Sequence, residues 1–109
     1  MKRTDKPLAW LRGEIKTPPF SPAARLEAGL LLRKLLQGET LSMPHSRPLK
    51  VLGARCHELR VKDADHEWRI IYRIDPDVIL VLEVFRKKTG KLPGAVVESC
   101  VKRQKMYDQ

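Results

Sequence analysis

The chain has 109 residues, which is enough for one domain and too few for two. Hydrophobic residues make up 42% and charged residues 32%, a mixture typical of a globular protein and not of a disordered one. The 22 lysines and arginines outnumber the 13 acidic residues, so the formal net charge is +9. This excess favours a polyanionic partner, either a nucleic acid or an acidic protein, over a charge-balanced scaffold. Simple solubility remains an alternative explanation. We predict a single domain over residues 1–109.

Two features of the composition bear on where the protein works. Cys56 and Cys100 are too few for a disulfide-built secreted domain, and they form no Cys-x-x-Cys pair. The basic first residues are not followed by the apolar segment of a signal peptide, and the longest apolar runs are far too short to span a membrane. We therefore expect a cytoplasmic protein with reduced thiols and no membrane partner.

The first half of the chain predicts one weak strand and one clear helix. Residues 7–12 could form a short strand. Ser21 is a good N-cap, Pro22 suits the first helical position, and Gly38 ends the helix. Arg25, Glu27, Arg33 and Lys34 are expected to face solvent. The predicted buried stripe of this helix consists of Leu26, Leu30, Leu31, Leu35 and Leu36.

The second half predicts a sheet and a closing helix. Residues 41–52 contain two prolines and are expected to form a loop. Residues 56–62, 68–74 and 78–87 have strand patterns and are separated by turn-forming segments, so they predict an antiparallel meander. A basic loop around Gly90 leads to Pro93, where a last helix begins and continues to about Met106. Its predicted apolar side consists of Val96, Val97, Cys100 and Val101.

The alternation of side chains predicts a sheet with two different faces. The turn lengths predict that Lys62 pairs with Arg69 and that Glu83 lies opposite Arg69. The leucine helix should cover the face formed by Leu59, Val61, Trp68, Ile70, Tyr72, Leu80, Leu82 and Val84. The other face should collect Arg60, Lys62, Arg69, Arg73, Glu83 and Lys87 around Ile71, Val81 and Phe85.

Several cations on one sheet face repel each other unless an anion compensates them, which is typical of a surface that binds a phosphate backbone. The interpretation therefore gives RNA-binding roles to the flanking cations as well. These are Arg73, Arg86, Lys88, Lys91, Lys102 and Arg103.

Three segments in this order resemble a known group of proteins. They are CHELRVK at residues 56–62, WRIIYR at residues 68–73 and FRKKT at residues 85–89. From about Lys6 to Asp108 the chain resembles the phage-derived (phage gene-product-49-like) branch of the RelE/ParE toxin superfamily, near the HigB toxins. The resemblance implies an α+β, RelE-like fold: a small antiparallel sheet of three meander strands, with a possible N-terminal strand, and helices packed on one face.

The resemblance also implies the toxin of a type II toxin–antitoxin system, which cuts mRNA on the ribosome without a metal or other cofactor. Arg60 and Lys62 stand where RelE has two alternating lysines, so Arg60 departs from the family pattern. Arg69 matches the arginine of the next strand, and Lys87 the basic residue that ends the strand after it. Some family members use a tyrosine near the C-terminus, for which Tyr107 is the candidate.

These five residues suggest roles in cleavage by the 2′-hydroxyl of RNA. A guanidinium stays protonated, so Arg60 can bind phosphate but cannot act as an acid or base. Lys62 could be the base if Arg60 and Arg69 lower its pKa. Arg69 and Lys87 would stabilise the developing charge, and Tyr107 or a second lysine would donate the last proton. Cys56 and His57 point to opposite faces of a strand, so we expect no metal site.

The partners implied are a cognate antitoxin, the ribosome and mRNA. The antitoxin should be a small helix-turn-helix protein from the adjacent gene, and operator DNA would be bound only through it. Three alternatives stay open: a ParE-like inhibitor of DNA gyrase without nuclease activity, a non-catalytic nucleic-acid-binding protein, and a degenerate phage remnant.

Overall fold

A computed structural model describes residues 6–11, 19–64, 66–88 and 90–109. The predicted α+β class is confirmed, and the sheet is mixed and five-stranded. Residues 50–52 add a short 3-10 helix. The elements in chain order are β1 (Leu8–Trp10), α1 (Pro22–Leu36), β2 (Ser46–Pro48), β3 (Cys56–Lys62), β4 (Glu67–Ile74), β5 (Ile79–Arg86) and α2 (Gly94–Tyr107).

The strand order is β1-β5-β4-β3-β2. The predicted meander is confirmed, because β3, β4 and β5 pair antiparallel to one another. The predicted N-terminal strand is also present and runs parallel to β5, while Arg12, at the end of the predicted segment, lies outside the described residues. The loop predicted for residues 41–52 is wrong in part, because β2 extends the sheet beyond β3. A strand of three residues is too short to show an alternation of polar and apolar side chains, so the sequence does not reveal it. An edge strand also tolerates the proline that it contains.

The predicted strand registers are wrong in two different ways. The structure pairs Arg60 with Arg69 and Lys62 with Glu67, which is a shift of two residues that leaves every side chain on its predicted face. In the β4–β5 pair the register shifts between Ile71 and Tyr72, which is a β-bulge. The extra residue in β5 places Glu83 opposite Ile71 instead of Arg69.

The β-bulge reverses the predicted faces in the first half of β5. Val81 packs in the core beneath α1, where Leu80 and Leu82 were predicted to lie. Leu80 and Leu82 lie on the opposite face. A residue inserted into one strand moves its neighbours to the other side, because side chains alternate along the strand.

The prediction that the helices pack on one face is wrong. α1 covers one face of the sheet, and α2 packs on the other, around Leu80, Leu82 and Cys100. The apolar residues that the bulge turns to this face need a cover, and the predicted apolar side of α2 supplies it.

The predicted N-cap of α1 is confirmed, since the Ser21 side chain accepts a hydrogen bond from the Ala24 amide at 3.1 Å. The predicted buried stripe is wrong in part, because Leu26 and Leu30 are exposed. α1 instead turns two alanines and three leucines to the sheet. Its buried residues are Ala24, Ala28, Leu31, Leu32 and Leu35. In the part of the chain that the structure describes, no helix has the length and apolar character needed to cross a membrane.

Candidate functional site

A small cavity of about 70 Å³ lies on the sheet face opposite α1. It is built by neighbouring strands in register, since Arg60 pairs with Arg69 and Arg69 pairs with Phe85. Lys87 and Lys91 close it from the segment after β5. We call it the basic pocket, and it is lined by Arg47, Glu58, Arg60, Arg69, Phe85, Lys87, Gly90, Lys91 and Leu92.

Arg69 is fixed at the floor of the basic pocket. Its side chain is only 2% exposed, and its guanidinium forms ion pairs with Glu58 at 3.3 Å and Glu67 at 3.5 Å. Arg47 Nε donates to the same Glu58 oxygen at 3.1 Å. A buried guanidinium is stable only when carboxylates compensate it, so these contacts hold Arg69 in one orientation.

The mouth of the site is more exposed and contains a carboxylate between cations. Glu67 is 41% exposed, and its carboxylate lies 3.9 Å from the Lys87 ammonium. Lys62 is exposed and lies opposite Glu67 across the β3–β4 pair. Arg60 also lines a second cavity of about 440 Å³, together with Lys62, Glu67, His45, Pro44 and Glu27. We call this second cavity the outer cleft.

The structure therefore brings together four of the five predicted catalytic residues: Arg60, Lys62, Arg69 and Lys87. It does not bring Tyr107 to them. The Tyr107 ring lies against Arg73, 5.7 Å from its guanidinium carbon. Arg73 is four residues along β4 from Arg69, which corresponds to about 13 Å. Tyr107 lines neither cavity, so this candidate general acid is placed elsewhere.

Arg73 lies in an enclosed network at the C-terminal end of α2. Its guanidinium donates to Asp75 and Asp108, each at 2.8 Å, and the residue is 3% exposed. These hydrogen bonds, led by those to Asp108, raise the pKa of Arg73. Arg55 also donates to Asp75 at 2.8 Å. The side chain is buried and its donors are used, which favours a structural role for Arg73, and its contact with RNA stays a prediction.

Residues 19–105 match the family model described as Phage derived protein Gp49-like (DUF891). The chain belongs to this family. No curated protein matches it. Both cavities of this Gp49-like chain are lined entirely by residues within the matched range, so the site belongs to the part of the chain that defines the family.

The remaining cations of the Gp49-like chain have different environments. Arg103 donates to the Leu82 carbonyl at 2.7 Å and to Glu83 at 3.0 Å, so Glu83 compensates Arg103. Arg86 and Lys88 line a separate cavity beside Trp68. Lys102 is exposed on α2, and of the predicted flanking cations only Lys91 lines the basic pocket.

Sequence reasoning missed several residues of the site. Glu58 shares the face of Arg60 by simple alternation, so the pattern contained that signal. Glu67 required the correct β3–β4 register, because it was assigned to the turn. Arg47 and His45 come from the segment predicted to be a loop, and no local pattern marks them.

The histidines do not assemble into a metal centre. His57 is half-buried and stacks on Tyr72 with 5.4 Å between ring centroids. Burial lowers its pKa. Within residues 6–11, 19–64, 66–88 and 90–109, no three His, Cys, Asp or Glu side chains form a group that could hold a metal ion.

Proposed function

We propose that this Gp49-like chain is the toxin of a type II toxin–antitoxin system and cuts mRNA in the ribosome. The observation that carries the proposal is the convergence of Arg60, Lys62 and Lys87 around the fixed Arg69 guanidinium. The match to a phage-derived family and the resemblance to RelE-type toxins support it. The protein would act in the cytoplasm, and its partners would be the ribosome, mRNA and a helix-turn-helix antitoxin that alone contacts operator DNA.

The residues suit a metal-independent transesterification. The 2′-oxygen of ribose attacks the adjacent phosphorus, and the bond from phosphorus to the 5′-oxygen breaks. The products are a 2′,3′-cyclic phosphate and a free 5′-hydroxyl. Arg60 and Lys87 would bind the phosphate and stabilise the charge on the phosphorane. Arg69 would act with them from the floor of the basic pocket.

Glu67 replaces Lys62 as our candidate for the general base. The lysine role depends on the positive charge of Arg69 acting on Lys62, but Glu67 pairs with Arg69 and lies opposite Lys62, so its carboxylate offsets that charge. Glu67 is an accessible carboxylate at the mouth of the site, so it can take the proton from the 2′-hydroxyl. Lys62 or Lys87 would donate a proton to the departing 5′-oxygen as an ammonium group.

The test is cleavage of mRNA on purified programmed ribosomes, with primer extension to map new 5′ ends. We expect Glu67→Gln and Lys62→Met each to slow cleavage by about 100-fold or more, as is usual for loss of an acid or base. Lys34→Met is the matched control, because Lys34 is exposed on α1 at the opposite face of the sheet. Its cleavage rate should equal that of the wild type.

Three outcomes would contradict the proposal. Unchanged cleavage by both Glu67→Gln and Lys62→Met would exclude the site. RNA binding that weakens steeply with salt, without any product, would indicate a non-catalytic binding protein. Growth arrest with intact transcripts and lost supercoiling activity would indicate a gyrase inhibitor.

A further inference from the structure

α1 carries an apolar surface on the side that faces away from the sheet. Leu26 is 66% exposed and Leu30 is 54% exposed. Residues four apart lie on the same side of a helix, so these two side chains form one continuous patch. Together with Phe20, Pro22 and Gly29 they line an open groove of about 540 Å³, which we call the α1 groove.

Gly29 lies in the middle of this surface, and none of the residues that the structure describes requires a glycine there. Glycine in a helix interior destabilises it by about 0.5–1 kcal/mol relative to alanine. A Cβ built at Gly29 meets no atom within 4 Å, and its backbone does not have a positive φ. Neither packing nor backbone geometry of the described residues therefore requires glycine. A flat position between two exposed leucines suits the close approach of another molecule.

The charges along the α1 groove favour a partner with acidic side chains. Arg25 and Arg33 line it beside the leucines, and Lys34 is exposed on the same helix. The Arg25 guanidinium lies 5.9 Å from the Phe20 ring centroid, so the cation stays beside the apolar floor. The acidic residue Glu27 lines the outer cleft and not this groove. A second copy of the chain would bring like charges together, and a nucleic acid would leave both leucines uncovered.

We propose that the α1 groove binds an acidic amphipathic helix of a second protein, which under the proposed function is the antitoxin. Apolar side chains of that helix would cover Leu26 and Leu30, with its backbone close to Gly29. A carboxylate of that helix would face Arg33. This is the helix-in-groove mode of recognition, with apolar anchors at helical spacing.

The α1 groove and the basic pocket lie on opposite faces of the sheet. α1 packs on one face of the sheet, and the basic pocket lies on the other. A helix seated in the groove does not occupy the basic pocket. The helix would therefore bind to the protein without contacting Arg60, Arg69 or Lys87.

The test is isothermal titration calorimetry of the full chain with the helix-turn-helix protein encoded by the adjacent gene. The double variant L26E/L30E should bind about 30-fold more weakly or worse, because it loses two anchors and repels acidic side chains. Val51→Glu is the matched control, since Val51 is 69% exposed and lies outside the groove. Its affinity should stay within about threefold of the wild type.

Gly29→Ala separates binding from folding. The substitution should raise the midpoint of thermal unfolding by a few degrees, since alanine is the better helix former, and lower the affinity at least about tenfold. Full affinity in L26E/L30E would overturn the proposal, as would the absence of binding by the wild type. Cleavage by L26E/L30E is measured separately on programmed ribosomes. If the protein cleaves mRNA but L26E/L30E binds the partner with full affinity, only the proposed role of the α1 groove is refuted. If L26E/L30E weakens binding but the wild type cleaves no mRNA, only the proposed nuclease activity is refuted.

Discussion

The two ends of the sheet face opposite α1 carry similar residues in very different settings. β4 places Arg69 and Arg73 on this same face, and both are buried. At the Arg73 end α2 closes over the sheet, and the C-terminal Asp108 reaches the guanidinium. At the Arg69 end, Lys62 of β3 and Lys87, which follows β5, line open cavities. We call these the closed end and the open end.

The comparison shows that both ends contain a buried arginine. They differ in how far nearby carboxylates compensate the positive charge, and this difference separates a structural network from a site that can bind an anion. At the closed end, Asp75 and Asp108 compensate Arg73, and Asp75 also pairs with Arg55. At the open end, the carboxylates that line the basic pocket and the outer cleft are outnumbered by the cations that line them. The carboxylates are Glu27, Glu58 and Glu67, and the cations are Arg47, Arg60, Lys62, Arg69, Lys87 and Lys91. The open end therefore keeps a local positive excess that an anionic ligand can neutralise.

The largest effect on stability is expected at the closed end. Arg73→Met removes the group that Asp75 and Asp108 share, which leaves a buried carboxylate with less compensation. The free energy of unfolding should fall by about 3 kcal/mol, as measured by urea denaturation. A loss below about 1 kcal/mol would show that the network adds little beyond packing.

Asp108→Asn should have a smaller and pH-dependent effect. The hydrogen bonds from Arg73 lower the pKa of Asp108 from its ordinary value of 3.8. Its contribution to stability is therefore present above that value and is lost as the pH falls through the lowered pKa of the folded state. The difference in unfolding free energy between wild type and variant should be largest near about pH 7 and should shrink in acid. Asp77→Asn, an exposed control in the turn, should show no such trend. A difference that is constant with pH would contradict the ion pair.

The reactivity of the Cys56 and Cys100 thiols measures how often α2 moves away from the closed end. Burial raises the pKa of Cys100 to about 12 and also raises the pKa of Cys56. At pH 8 Cys100 is therefore almost entirely in the protonated form, and the thiolate is the reactive form. Native protein should therefore react slowly with Ellman's reagent, and Arg73→Met should react faster. Fast labelling of the native wild type would show that α2 opens readily.

The smallest effect on stability is expected at the open end. Lys62→Met should change the free energy of unfolding by less than about 0.5 kcal/mol, because Lys62 is exposed. The same variant should reduce the salt dependence of single-stranded RNA binding by about 0.7 log units per decade of salt, as for one lost phosphate contact. Lys34→Met is the matched control in both measurements. A large loss of stability in Lys62→Met would remove the distinction between the two ends.

Local signals in the sequence predicted the elements that depend on short-range chemistry. Ser21 and Pro22 predicted the start of α1, and both are found there. The alternation in β3 and β4 predicted that Arg60 and Arg69 share a face. This prediction is correct even though the predicted register was shifted by two residues. The face is set by parity alone, so even a wrong turn length preserves it.

The sequence by itself determined the N-cap of α1, the meander, the faces of β3 and β4 and the net positive charge. Only the tertiary structure decided the β-bulge in β5, because that strand is apolar on both sides and gives no local preference for either face. The bulge turned Leu80 and Leu82 away from α1, and α2 covered them. That packing enclosed Arg73 and left Lys62 and Lys87 accessible. Contacts between residues distant in the chain fix this outcome, and no pattern within a single element encodes them.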